Sequence, residues 1–215
     1  MKKILMTTAA SLLMSSAAFA GNVNIGIILG FTGPIESIVA DMGPAAELAI
    51  SEVNSAGNFK FGDISSTRGD STCIDSAAAT AAAERLITAD KVNAIVGGDC
   101  SGVTTAMLEN VAVANGTVMI SPSATSPALS TVADDGLFFR TAPSDARQGE
   151  IVRDILMEQG YKEIAISYTN NDYGKGLADS IEANFKAAGG TVTLNASHED
   201  GKGDYGAEVA ALAQA

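Results

Sequence analysis

Tryptophan is absent, histidine occurs once and cysteine twice, and aromatic residues make up 5% of the 215 positions. Each scarcity excludes something. No His/Cys/carboxylate run has metal-ligand spacing, so neither a metal nor another cofactor is expected. The single histidine, His198, falls in the polar run Ser-His-Glu-Asp-Gly and reads as solvated. It is far in sequence from Ser101, the serine singled out below, and no G-x-S-x-G turn surrounds that serine. Acidic pairs such as Asp134-Asp135 read as loop solvation rather than acid–base machinery. No catalytic residue is assigned. Positive charge is scarce too: without Lys2 and Lys3, 11 basic residues face 25 acidic ones, a net charge of −14. Such a surface repels nucleic acid and anionic lipid.

The one prominent hydrophobic run is at the N-terminus. Met1-Lys2-Lys3 precedes the apolar stretch Ile4–Met14, and Ala18-Phe19-Ala20 offers a small-x-small cleavage site before Gly21. The run is too short to span a bilayer and reads as a cleavable signal peptide over residues 1–20. No cysteine follows the cleavage site directly, so a lipid anchor is not expected. Export would put Cys73 and Cys100 where disulfides persist. A Cys73–Cys100 bridge is the favoured pairing, worth roughly 3 kcal/mol, with two free buried thiols as the alternative.

What the chain does have is a pair of small-residue loops. The short apolar runs Ala94–Val96 and Val118–Ile120 read as parallel strands covered on both faces. The first ends in Asp99-Cys100-Ser101-Gly102 and the second in Ser121-Pro122-Ser123-Ala124-Thr125. In an open parallel sheet such loops lie side by side at the carboxyl edge, where ligands bind. Ser101 is placed as the N-cap of the helix that follows, with unpaired backbone N–H groups behind it. Hydroxyls and free amides together suit a small carboxylate.

Around this centre the chain alternates. Val23–Leu29 is a strand, and residues 44–55 a helix with Ala45, Leu48, Ala49 and Val53 as its apolar stripe. Phe61–Arg68 is a weaker strand, 76–89 an alanine-dense helix, and 103–114 a helix with Met107, Leu108 and Val111 inward. Leu137–Arg140 is a strand, followed by a break at 141–145. Beyond it come a helix at 146–159, a strand at 163–168, a helix at 177–188, a strand at 191–194 and a helix from Tyr205. This β-α alternation predicts an α/β fold with doubly wound parallel sheets and right-handed crossovers.

The run Gly-Gly-Asp-Cys-Ser, followed by Met119-Ile-Ser-Pro-Ser-Ala-Thr-Ser-Pro-Ala-Leu129, resembles the first lobe of type I periplasmic solute-binding proteins. Within that family it is most similar to the leucine/isoleucine/valine-binding components of ABC importers. The resemblance implies two doubly wound lobes joined by a hinge: residues 1–20 a leader, 21–140 lobe one, and 141–215 a partial lobe two. It implies α-carboxylate and α-ammonium contacts at Ser101, Ser123 and Thr125, with Ala124 alongside and Cys100 and Asp99 in the first loop. The bridge Cys73–Cys100 matches one that the family often carries. Asn-Asp-Tyr-Gly-Lys-Gly-Leu resembles the stretch whose tyrosine faces the cleft, implicating Tyr173. Taken alone, Ser101 could be only a cap, Ser123 and Thr125 only turn-formers, and Tyr173 only a packing residue.

Two departures stand out: Asp99 replaces an apolar residue and is placed at the pocket mouth, and Ile38 replaces a frequent aromatic. The second lobe as read is incomplete, which suggests a truncated fragment with weak binding. A monomeric periplasmic receptor for a small amino acid is expected, working with a permease and an ATPase and without nucleic acid. Its rivals are an extracellular sensory domain and a secreted amidase-like hydrolase.

Overall fold

The computed structural model describes residues 22–215; the leader expected over residues 1–20 lies outside them. Five parallel strands form the first sheet: β1 (Val23–Leu29), β2 (Ile64–Asp70), β3 (Ala94–Gly97), β4 (Val118–Ser121) and β5 (Phe138–Arg140), in the order β2-β1-β3-β4-β5. Helices α1 (Glu36–Val39) and α2 (Met42–Ala56) connect β1 to β2, and α3 (Ser76–Thr88) connects β2 to β3. Between β3 and β4 runs α4 (Ser101–Met107), which continues as a π turn over Leu108–Ala112 and a 3-10 turn over Val113–Asn115. The chain leaves β1 to one side for β2 and returns on the other for β3. That reversal opens a crevice at the carboxyl ends of β1 and β3.

The central strand explains the packing. Ile27, Ile28 and Leu29 of β1 are essentially inaccessible because both faces are covered. Ile28 joins Ala83, Leu86, Ile95, Met107, Leu108 and Met119 under α3 and α4, whereas Ile27 and Leu29 pack with Val39 and Ile50 on the other face. At the end of β3 the chain takes a path open only to glycine: Gly97 has φ +137°, and an added Cβ would lie 2.0 Å from the Ile28 carbonyl oxygen.

A second pair of parallel strands, β6 (Glu163–Thr169) and β7 (Thr191–His198), is preceded by α5 (Asp145–Glu158) and linked by α6 (Asp172–Ala187); α7 (Gly206–Gln214) follows. Asn171 caps α6 by accepting from the Gly174 N–H at 2.8 Å, so the helix begins five residues earlier than its apolar pattern suggests.

Three sequence expectations need correction. The second strand starts at Ile64, not Phe61, because the Asn54 side chain bonds both the N–H and C=O of Ile64, leaving Phe61 exposed in a turn against Phe59. The seventh strand runs on to His198 through the alternation Val192, Leu194, Ala196. The stripe assigned to α2 faces outward: Leu48 is 60% exposed, and Met42, Ala46 and Ile50 contact the core instead. Leu48→Ala is therefore expected to change stability by no more than about 0.5 kcal/mol, and Ile50→Ala to cost about 2 kcal/mol, in paired urea unfolding curves. Equal losses would return Leu48 to the core.

Candidate functional site

β3 and β4 pair in parallel, Ala94 opposite Val118 and Val96 opposite Ile120, so their following loops leave the same edge of the sheet. The loops are bonded to each other. The Ser121 hydroxyl donates to the Gly98 carbonyl at 2.5 Å and accepts from the Ala124 N–H at 2.9 Å. The Ser123 hydroxyl donates to the Asp99 carbonyl at 2.9 Å, and the Ser126 N–H donates to the Ser101 hydroxyl oxygen at 3.1 Å. Thus the two loops expected to form a common cradle do lie together.

Ser101 is not the cap expected from the sequence. Cys100 occupies that position with extended backbone, and Ser101 is the first residue of α4, 2% exposed. Its hydroxyl oxygen accepts from Ser126 and keeps its own proton to donate. The first bond of the helix runs from the Thr104 N–H to the Cys100 carbonyl, which leaves the amides of Ser101, Gly102 and Val103 without helical partners. Cys100 is bridged to Cys73, Cα to Cα 5.2 Å, which anchors the first loop to the segment after β2.

Asp99 is also displaced from its expected place at the pocket mouth. It is 4% exposed, and its carboxylate accepts from the Gly30 N–H at 2.7 Å, the Cys100 N–H at 3.0 Å and the Ser71 hydroxyl at 3.1 Å. These bonds join the loops after β1, β2 and β3 across the crevice. A short, acceptor-only side chain can be buried here because three donors converge on it.

On the second loop Ala124 is buried, Ser123 exposed and Thr125 half-buried. The Thr125 hydroxyl donates to Asp145 Oδ2 at 2.9 Å, and the Asp145 N–H returns a bond to the Thr125 carbonyl at 2.9 Å. Asp145 is 1% exposed. Burial pushes its carboxyl pKa up, and the Thr125 hydroxyl and the Arg140 charge pull it back. Arg140 donates to the carbonyls of Ser126 (2.9 Å) and Ala124 (3.2 Å), holding the loop from behind. Burial lowers its pKa against the opposing effect of Asp145. Sequence reasoning missed Asp145, Arg140, Ser121 and Ser126. The hydroxyl density of Ser121–Ser126 was the available signal for the last two.

Tyr173 lies in the first turn of α6 and is 45% exposed. The start of that helix faces the start of α4, with Asp172 Oδ2 3.8 Å from where a Cβ on Gly102 would sit. One turn further on, Gly176 lies so close to the second loop that an added Cβ would be 2.9 Å from Pro127 Cδ. The structure therefore brings Ser101, Ser123, Ala124, Thr125 and the Tyr173 helix to one place. The exposed Ile38 lies on α1. A concavity of about 500 Å³ lies off to one side, between Phe31, Val39 and Arg68–Asp70, where Arg68 is already paired with Glu47.

His198 corrects another expectation. It ends β7 rather than lying in a solvated loop, and its Nδ1 is 2.8 Å from the Ser167 hydroxyl. A serine with a histidine beside it does therefore exist. Ser167 sits inside the β6 ladder opposite Ala196, not on the strand-to-helix turn of a nucleophile elbow. Among the described residues no group of three or more His, Cys, Asp or Glu is arranged to hold a metal ion.

The profile of the family described as the receptor family ligand binding region matches residues 41–213. The chain belongs to that family, the type I periplasmic binding proteins. Among its relatives, a Leu/Ile/Val-binding protein of Citrobacter freundii is 29% identical over 98% of this chain and 56% of its own length. The Leu/Ile/Val-binding protein homolog 1 of Brucella abortus is 33% identical over 100% of the chain and 58% of its own. Among solved structures, a branched-chain amino acid transporter substrate binding protein of Streptococcus pneumoniae, in complex with isoleucine, superposes with TM-score 0.77 at 28% identity, covering 91% of this chain and 55% of that one. The chain thus spans about half the length of these relatives.

Proposed function

We propose that this chain is the ligand-binding part of a periplasmic receptor for a branched-chain or related amino acid, serving an ABC importer. The observation that carries the proposal is the pair of hydroxyl-rich loops clasped side by side at the carboxyl edge, with the unpaired amides of Ser101, Gly102 and Val103 beside them. A ligand carboxylate would take those amides and the Ser101 hydroxyl proton, and the ammonium would take the Ser123 carbonyl and the Thr125 oxygen. Residues 21–140 would act as the docking lobe and the residues after 141 as the closing lobe. Tyr173 would cover the ligand, and closure would strengthen each charge-assisted bond by excluding water. The names of the relatives support a binding role in amino-acid transport. A periplasmic location reached through the leader, a permease and an ATPase as partners, and a monomeric state are parts of the same proposal.

Titration with a panel of amino acids into the low-millimolar range, followed by amide chemical shifts, tests the proposal. Shifts centred on Ser101–Val103 and Ser123–Thr125 are expected with leucine, isoleucine or valine. Ser101→Ala is expected to weaken binding about tenfold. Chemical turnover of any ligand would end the receptor reading, and silence across the panel would redirect the ligand class.

A further inference from the structure

We propose that the outer face of α5 is a pairing surface for a second copy of this chain: two α5 helices pack antiparallel about a two-fold axis and form a weak, reversible dimer. The inference goes beyond the receptor reading and needs no ligand. The monomer proposed above is the dilute form of the same protein.

Helix α5 has two faces of different character. Toward α6, Asp145 and Gly149 are buried, the Ser180 hydroxyl donates to the Asp145 carbonyl at 3.0 Å, and a Cβ on Gly149 would collide with Ser180. Val152 and Leu156 continue that stripe, half-buried. On the other side Ile151 and Ile155 stand one turn apart and are 44% and 48% exposed. Residues four apart on a helix are neighbours, so the two isoleucines make one apolar patch rather than two isolated side chains. A helix face turned to solvent ordinarily carries polar residues at such positions.

The charges at the two ends of the patch are complementary to a second copy of it. Arg147 lies one turn before Ile151, Glu158 lies three residues after Ile155, and both are exposed. In an antiparallel pair with Ile151 against the partner's Ile155, Arg147 falls beside the partner's Glu158, and by symmetry the contact occurs twice. The helix dipoles then run opposite ways, N-terminus beside C-terminus. A parallel pair would set arginine on arginine and glutamate on glutamate. In the single chain Arg147 bonds Glu150, with side chains 65% and 43% exposed, and pairing exchanges that weak surface bond for a partly enclosed one. Asp154 flanks the patch, 63% exposed and held by Arg153 at 2.8 Å. The two-fold brings two copies of it to one side, which opposes pairing. One helix face also buries less than the roughly 1,200 Å² of stable complexes, so a dissociation constant on the order of 100 μM is expected.

Sedimentation equilibrium of the full chain at low salt, from about 5 μM to about 1 mM, brackets that constant. The mean mass is expected to rise from monomer toward dimer across the range, and Ile151→Ser/Ile155→Ser to abolish the rise. Arg147→Glu and Glu158→Arg are each expected to weaken pairing about fivefold, and the double swap to restore it to within about twofold of the parent. A chain that stays monomeric at the highest concentration overturns the inference. So does association that survives the double serine variant, which would place the contact elsewhere. A double swap that fails to restore pairing also overturns it, because the antiparallel register is then wrong. Should the serine variant fail to fold, shown by a changed far-ultraviolet circular dichroism spectrum, the charge swap decides alone. None of these readouts involves leucine, so their failure leaves the receptor reading as it stands.

Discussion

Replacing Asp99 by alanine is expected to lower the unfolding free energy by about 3–5 kcal/mol, read from the urea midpoint at unchanged m-value. The carboxylate is the common acceptor of the Gly30 and Cys100 amides and the Ser71 hydroxyl at 2.7–3.1 Å, and the bonds to Gly30 and Ser71 are buried. Alanine would strand these donors where water does not easily reach, and each stranded donor costs roughly 1–3 kcal/mol. The loops after β1, β2 and β3 would also lose the group that keeps them together. Asp99→Asn retains an acceptor and is expected to lose about half as much. A loss below about 1 kcal/mol in the alanine variant would show that the three loops do not depend on this residue.

Removing the bridge between Cys73 and Cys100 is expected to cost roughly 3–4 kcal/mol by the chain-entropy estimate, given its sequence separation of 27. The double Cys73→Ser/Cys100→Ser variant and the parent in reductant are expected to show the same shifted midpoint, with no further effect of reductant on the variant. The consequence is more than global. Cys100 is the residue before α4, so the amides of Ser101–Val103 lose a fixed point close to them. A reduced protein with unchanged midpoint would mean that the Asp99 carboxylate and the bonds from the second loop position the first loop without the bridge.

Much of the architecture was legible in the chain because its signals were local. The continuous apolar runs at β1, β3 and β4 read as parallel strands, and the loops after β3 and β4 followed from their pairing. The expected cover on both faces holds for β1 but not for β4, whose Ile120 is 40% exposed. The side chosen by each polar group was not legible. Ser101 looked like a cap and Asp99 like a residue at the mouth, because a single sequence does not show that Ser126, 25 residues on, and Gly30, 69 residues back, would claim them. Asp145 lay in what read as a hinge break and Arg140 at the end of the strand before it, and their value depends on a loop 14 to 20 residues earlier. The α2 stripe failed for a related reason: two overlapping apolar faces exist on an alanine-rich helix, and only the position of β1 decides between Leu48 and Ile50.

Asp145 is held from two directions at once. Its amide and carboxylate grip Thr125 on the first sheet's side, while its carbonyl accepts from the Ser180 hydroxyl of α6 at 3.0 Å. A swing that separates the α4 and α6 termini while keeping these bonds must therefore turn about Asp145 as a fulcrum. The residues just before it, Thr141–Ser144, would absorb the torsion, while α5 and α6 travel together as one lever arm.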